Sequence, residues 1–264
     1  MTKQQIWIAT FLLATSATAM ADVTVTTQTT GKMIIDLSGE GVTLFKGKSQ
    51  RTDNTLRGKS QTLLIDIDGR RFVDLDAKKK TATVTSLDSI AEQLQKAGTG
   101  TLDAKLTKTA QTKNIAGHNC SVHDISVSLP FSPTGNSGDG MDLTMTLSGT
   151  VCLATNVPGL ADYQAFYKAA ADSGFIFGDP RGAKSPTGAA QAKAYAALTR
   201  KMAEAGMALE SNVNINAGGS GPMAGMMAKL AKGTIVTTVT KIEAGDIPAA
   251  SFEIPADYKV KTTK

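Results

Sequence analysis

The chain is poor in the residues from which most enzyme centres and metal sites are built. It has two histidines, two cysteines and one tryptophan in 264 residues. Both histidines and one cysteine fall in one stretch, His118-Asn-Cys120-Ser-Val-His123-Asp124. Long apolar runs are also missing. After Ala21 nothing approaches the ~20 apolar residues that a membrane-spanning helix needs, so no transmembrane segment is expected in the mature chain. Charge is modest, with a formal net of +5. The cations are scattered, apart from Lys78-Lys79-Lys80 in a turn-like context. No basic face is interleaved with aromatics, which argues against nucleic acid as a partner.

What is present begins with an address. Lys3 supplies a positive n-region, Ile6 to Leu13 a short apolar run, and small residues follow up to Ala19-Met20-Ala21. This is the pattern of a secretory signal peptide with a small-x-small cleavage site. Residues 1–21 are therefore expected to be removed, with 22–264 left as one domain; cleavage after Ala19 is the alternative. No cysteine follows the site, so a lipid anchor is not expected. The reading is a periplasmic protein if the cell has two membranes. The only tryptophan, Trp7, leaves with the leader.

The first half reads as strands. "DVTVTTQTT" alternates and is rich in β-branched residues. "GKMIIDLSG" and "EGVTLFKGK" follow, with a glycine-bearing turn expected between them. "QTLLIDID" and "RRFVDLD" flank Asp68-Gly69, a hairpin signal. "LDSIAEQLQKAG" predicts a short helix. The second half changes character. Pro158 opens a helical pattern with Leu160, Tyr163, Phe166, Tyr167 and Ala170 at helical spacing. An alanine-rich helix is predicted over 186–205, with Tyr195, Leu198 and Met202 on one side. Extended segments close the chain. Antiparallel strands with a few inserted helices make the fold class α+β.

The histidine–cysteine stretch is best read as one strand of a hairpin. Setting Cys120 opposite Cys152 also sets Ile125 opposite Leu147, Val127 opposite Met145 and Leu129 opposite Leu143. A slip by one residue would break this match, because side chains alternate faces. An exported chain with two cysteines is expected to oxidise them, so Cys120–Cys152 is read as a structural disulfide; a reactive or metal-binding thiol is the alternative. His118 and His123 are five apart, so on a strand they point to opposite faces, which disfavours a shared metal. His123 falls on the apolar face, where a packing role is the simpler reading.

Other groups carry weaker signals. Met223, Met226 and Met227, with Met202 and Met207 nearby in sequence, raise Cu(I). Histidines that usually accompany such tracts are missing, and adaptable apolar filling explains them better. Ser137 in "GNSGDG" lacks the strand–turn–helix setting of a nucleophile elbow. "GGSGPMAG" lacks the lysine and βαβ context of a phosphate loop. Asp66, Asp68, Asp74 and Asp76 lack the alternation and distal glutamate of a calcium loop. The expectation is a protein with no catalytic residues, no metal and no cofactor. Six of the eleven aromatics after residue 21 are Tyr163, Phe166, Tyr167, Phe175, Phe177 and Tyr195. They suggest either a helix packed on a sheet or the wall of an apolar pocket.

Four motifs resemble a known family. "LLIDIDGRRFVDLDAKKKT", "KNIAGHNCSVHDISV", "GTVCLATNVPGLADYQAF" and "VTKIEAGDIPAASFEIPADYKV" resemble segments of an uncharacterised family of exported proteins, a domain of unknown function. That family looks related to the LolA-like superfamily of lipoprotein carriers. The resemblance implies a strongly curved antiparallel sheet, a half-barrel, with helices covering its concave face. It also implies an apolar or lipid-like ligand between sheet and helices, and offers no catalytic residues. The functional expectation is a soluble periplasmic carrier for such a ligand, with the six aromatics as its pocket. The alternative is an envelope scaffold with a filled core, contacting a protein partner through loops 130–140 and 217–225.

Overall fold

The computed structural model describes residues 22–32, 36–88, 91–92, 104–131, 143–173, 186–219, 225–226 and 232–263. Among these, twelve strands form one continuous sheet. They are β1 (Val23–Lys32), β2 (Asp36–Lys46), β3 (Ser49–Leu56), β4 (Lys59–Asp66), β5 (Arg71–Asp76) and β6 (Thr81–Ser86) in the first half. The second half adds β7 (Ala104–Ile115), β8 (His118–Phe131), β9 (Leu143–Ala154), β10 (Met207–Gly219), β11 (Gly233–Ala244) and β12 (Lys259–Thr263). Two helices, α1 (Leu160–Asp172) and α2 (Pro186–Ala205), lie between β9 and β10. The spatial order is β12-β6-β5-β4-β3-β2-β1-β11-β10-β9-β8-β7, so the sheet is open and curved. Every pairing is antiparallel except β12 with β6. The pairing of β1 with β11 joins the two meanders.

Local chemistry accounts for much of this. Tight hairpins turn at Arg57-Gly58 and Ala116-Gly117, where all four φ angles are positive (52° and 71°, 50° and 81°), as a two-residue turn matched to strand twist requires. The turn expected at Asp68-Gly69 spans four residues, Ile67–Arg70, and Arg70 rather than the glycine takes the positive φ. Asp66 Oδ1 accepts the Gly69 N–H at 2.8 Å, so the side chain closes the turn. The glycine-bearing turn expected within 36–46 is not there. Gly39 and Gly41 lie inside β2, where an added Cβ would sit 2.4 Å from Thr55 O and 2.5 Å from Asn54 Oδ1. Those glycines mark close approach of β3, not chain reversal. The helix expected at 87–98 is helical at residues 87–88 and 91–92; the remainder lies outside the described residues.

The β8–β9 register corrects one expectation. Val122, not Cys120, stands opposite Cys152, and Ile125 faces Gly149, Val127 faces Leu147 and Leu129 faces Met145. The shift is two residues, so every side chain keeps its face. Cys120 becomes the diagonal neighbour of Cys152, with Cα atoms 5.4 Å apart, and the disulfide forms across that diagonal. Gly149 occupies the place opposite Ile125 with φ 153°, and a Cβ there would be 1.9 Å from Asn212 O of β10. Gly149→Ala is expected to lower the unfolding free energy by about 2–3 kcal/mol, from backbone strain and forced strand separation. A urea titration checks it; an unchanged midpoint would mean β9 and β10 lie further apart than described.

Among the described residues the buried side chains form three groups. The first lies under α1 and includes Val23, Phe45, Ile65, Phe72, Phe166, Met207 and Leu209. The second packs α2, through Leu198, Tyr195 and Met202, on Ile125, Val127, Leu147, Val151 and Leu153. Cys152 lies on the opposite face of β9 from Val151 and Leu153, and all three are at most 2% exposed. This strand is therefore buried on both sides. The third group, Leu64, Val73, Leu75 and Ala82, lies beneath Ile254 and Tyr258 of the closing segment. Arg51 Nη1 donates to Ser251 O at 3.0 Å and helps to hold that segment down.

Candidate functional site

The site is built on the sheet face that carries Phe45. In β2 that face holds Leu37, Gly39, Gly41, Thr43 and Phe45 by alternation. The registers carry the face sideways: Phe45 opposes Gln50, which opposes Ile65, which opposes Phe72, which opposes Thr85. All five of these side chains are buried. α1 sits over this end. Phe166 is 0% exposed, with its ring centroid 5.5 Å from Phe45 and 5.4 Å from Tyr167 in edge-on contacts. Tyr163 lies 5.4 Å from Phe45 and 4.5 Å from Tyr167. Three of the six predicted aromatics are thus brought together on one strand residue.

The cluster also contains polar tips. The Ala208 backbone N–H and the Tyr167 side chain hydrogen-bond Tyr163, and Gln50 hydrogen-bonds Tyr167. Burial pushes the Tyr163 phenol up to about 12. Burial pushes Tyr167 well above its usual value as well, with Tyr163 adding to the effect. Both phenols stay neutral at physiological pH and hold α1 to β3 and β10. Tyr195, on α2, packs against the second buried group, apart from this cluster. Phe175 and Phe177 lie outside the described residues.

Further along the same strands the face changes. Beyond Phe45 it presents Gly39 and Leu37, beyond Gln50 it presents Asn54 and Leu56, and beyond Ile65 it presents Gln61 and Lys59. Beyond Phe72 come Asp74 and Asp76, and beyond Thr85 come Thr83 and Thr81. These positions line an open groove of about 1380 Å³, with Leu37 and Leu56 as its apolar patches. Arg57, Lys59, Lys78 and Lys261 stand around it. Lys79 is paired with Asp76 at 2.9 Å, which lowers the Asp76 pKa and raises that of Lys79. Gln61 donates to Asp74 at 3.4 Å.

The other predicted groups stay separate. His123 is buried at 8% exposure, with Nδ1 2.9 Å from Ser121 O, and faces Val151 across the strand pair. His118 sits at the Ala116-Gly117 turn, opposite Ile115. Asp66 pairs with Arg71 at 3.0 Å and Asp68 with Lys48 at 2.8 Å, so the four aspartates of that hairpin do not converge. Among the described residues no three His, Cys, Asp or Glu side chains are grouped to hold a metal. Met207 is 0% exposed in the core, Met202 packs under α2 and Met226 is 47% exposed. Met223 and Met227 lie outside the described residues, as does most of each loop proposed for partner contact.

No protein-family model matches the chain. No curated protein matches it either. Of the twelve solved chains that match it, two show the likeness. One is an uncharacterized conserved protein from Thermus thermophilus, 8% identical with a TM-score of 0.38, covering 93% of this chain and 92% of that one. The other is a LolA superfamily protein from Nitrosomonas europaea, 9% identical with a TM-score of 0.28, covering 89% of this chain and 91% of that one. Both likenesses span most of each chain at identities far below those that carry a function.

The groove is not among the sequence-based expectations, although its signal is present in the strands themselves. The core-facing positions of β4 run Ile65, Leu63, Gln61, Lys59, from apolar to polar along one face. A strand that changes the chemistry of its inner face part-way has one end under a cover and one end in water.

Proposed function

We propose that the protein is an exported, non-catalytic carrier that holds a lipid-like, amphiphilic ligand on the concave face of its curved sheet. The observation that carries this reading is the change along a single face. One end is aromatic and lies beneath α1, and the other is an open groove with a polar lining and leucine patches. An apolar chain fits the covered end and a polar head fits the groove. The two helices would cover part of that concave face, with Tyr163, Phe166, Tyr167, Phe175, Phe177 and Tyr195 lining the apolar side. The Cys120–Cys152 disulfide supports export to an oxidising compartment, and residues 1–21 would be the leader. Among the described residues no helix is long and apolar enough to cross a membrane.

Native mass spectrometry of the oxidised protein, recovered from the periplasm without detergent, tests the proposal. A stoichiometric lipid-like adduct is expected, released on organic extraction. Thr83→Trp, which fills the groove, is expected to lower adduct occupancy while the melting curve stays cooperative. A second reading has its own observation: the aromatic cluster is closely packed, with Phe166 fully buried. An envelope scaffold with a filled core would look the same. A protein that stays empty after incubation with an envelope lipid extract would favour that scaffold.

A further inference from the structure

The first turn of α1 holds a buried carboxylate with an unused oxygen. Asp162 is 3% exposed, and among the described residues its Oδ2 has no hydrogen-bond partner. The Gly47 backbone N–H hydrogen-bonds this carboxylate. Burial raises the Asp162 pKa, the neighbouring Asp22 charge raises it further, and Lys46 acts in the opposite direction. An unpaired carboxylate oxygen out of water is costly, so a site of this kind invites a cation.

Asp22 is near enough for its charge to act on Asp162 and is itself 8% exposed. Its Oδ2 accepts Lys46 Nζ at 2.5 Å and the Ile247 N–H at 2.8 Å. The next residue, Val23, presses on Gly159 just before α1, where an added Cβ would be 2.3 Å from Val23 Cβ. The start of β1 and the start of α1 are therefore in direct contact. Lys46 also reaches Asp246, but that side chain is 93% exposed and solvated. Among the described residues the inner group thus holds two carboxylates, Asp22 and Asp162, against one ammonium, Lys46.

Asp22 is also the residue that removal of the leader after Ala21 would make first. Cleavage there turns a neutral peptide nitrogen into an α-ammonium with three donors. That charge would arise on a buried residue near enough to act on Asp162. We propose that Asp162 is the receptor for the α-ammonium of the processed chain, a site completed only by cleavage between Ala21 and Asp22. Two carboxylates then face two ammonium groups, and Oδ2 gains its donor. Cleavage after Ala19 would leave the new charge two residues away from this site. The inference rests on the export reading and is independent of what the groove carries.

Two oxidised chains test it without export. One is released from a fusion so that it begins at Asp22; the other carries one glycine before Asp22. The first is expected to melt about 3–6 °C higher, the scale of a buried ion pair in a domain of this size. Asp162→Asn is expected to erase that difference, read within its own pair of chains so that its general effect on folding cancels. The amine supplies a second measure that needs no variant. Its pKa is expected above the ordinary α-amino range of about 7.7–8.0 in the Asp22 chain, and within that range in the extended chain. Equal melting with an unshifted amine would overturn the receptor role. The exported chain is expected to have the intact mass of a protein that starts at Asp22; a start at Met20 would overturn the coupling to processing.

Discussion

Truncating Phe166 to alanine is expected to lower the unfolding free energy by about 3–5 kcal/mol, the range for a fully buried phenylalanine. The side chain is completely enclosed, and its ring meets Phe45 and Tyr167 edge-on within 5.5 Å. Removing it leaves a void bounded by the Phe45 and Tyr167 rings. Tyr167 is tied to Gln50 and to Tyr163, which is itself tied to the Ala208 backbone, so Tyr167 cannot easily collapse into the space. Tyr195→Ala is the control. That ring, on α2, is only partly buried, and its loss should cost clearly less. Urea titration at constant m-value reads both. A Phe166 loss below about 1 kcal/mol would mean that α1 is loosely docked in the free protein. Such a loose helix would suit a lid that opens for an apolar chain. A full loss would instead send the ligand to the groove first, with entry beneath α1 requiring a cost that only a strongly bound chain could offset.

Much of this architecture is readable in the sequence, and the unreadable parts share a cause. The helices at 160–172 and 186–205 follow from apolar residues at helical spacing and from Pro158 ahead of the first. The strands follow from β-branched alternation, and the pairing of Cys120 with Cys152 from their shared face. What fails is distance within a face. The β8–β9 register is off by two, because the match of side-chain patterns is almost unchanged by a two-residue shift. The turn expected near Gly39 and Gly41 fails because glycine also serves where strands crowd, here against Thr55 and Asn54. The aromatics stand out as a group, but their partner Phe45 is 118 or more positions away and carries no local signal. The groove escapes for the same reason, since its lining comes from single inward positions on successive strands.

Removing the disulfide is the other large effect. Cys120→Ala with Cys152→Ala is expected to cost about 3–4 kcal/mol on the chain-entropy account of a closed loop of this length. The bond spans 32 positions and bridges a diagonal of β8 and β9, next to the Val122–Cys152 pair. Without it, the hairpin must be closed through residues 132–142 by strand pairing alone. Both sulfur-bearing residues are at most 3% exposed. Reductant should therefore leave the native protein oxidised, and reduction should keep pace with unfolding. In denaturant, reductant should lower the midpoint of the wild type to that of the double variant and leave the double variant unmoved. The two alanines also remove buried sulfur, so the reduced wild type separates loop closure from lost packing. A reduced wild type as stable as the oxidised one would show that the closed loop adds nothing, and that β8 and β9 are held together by the two-sided burial of Val151, Cys152 and Leu153 alone.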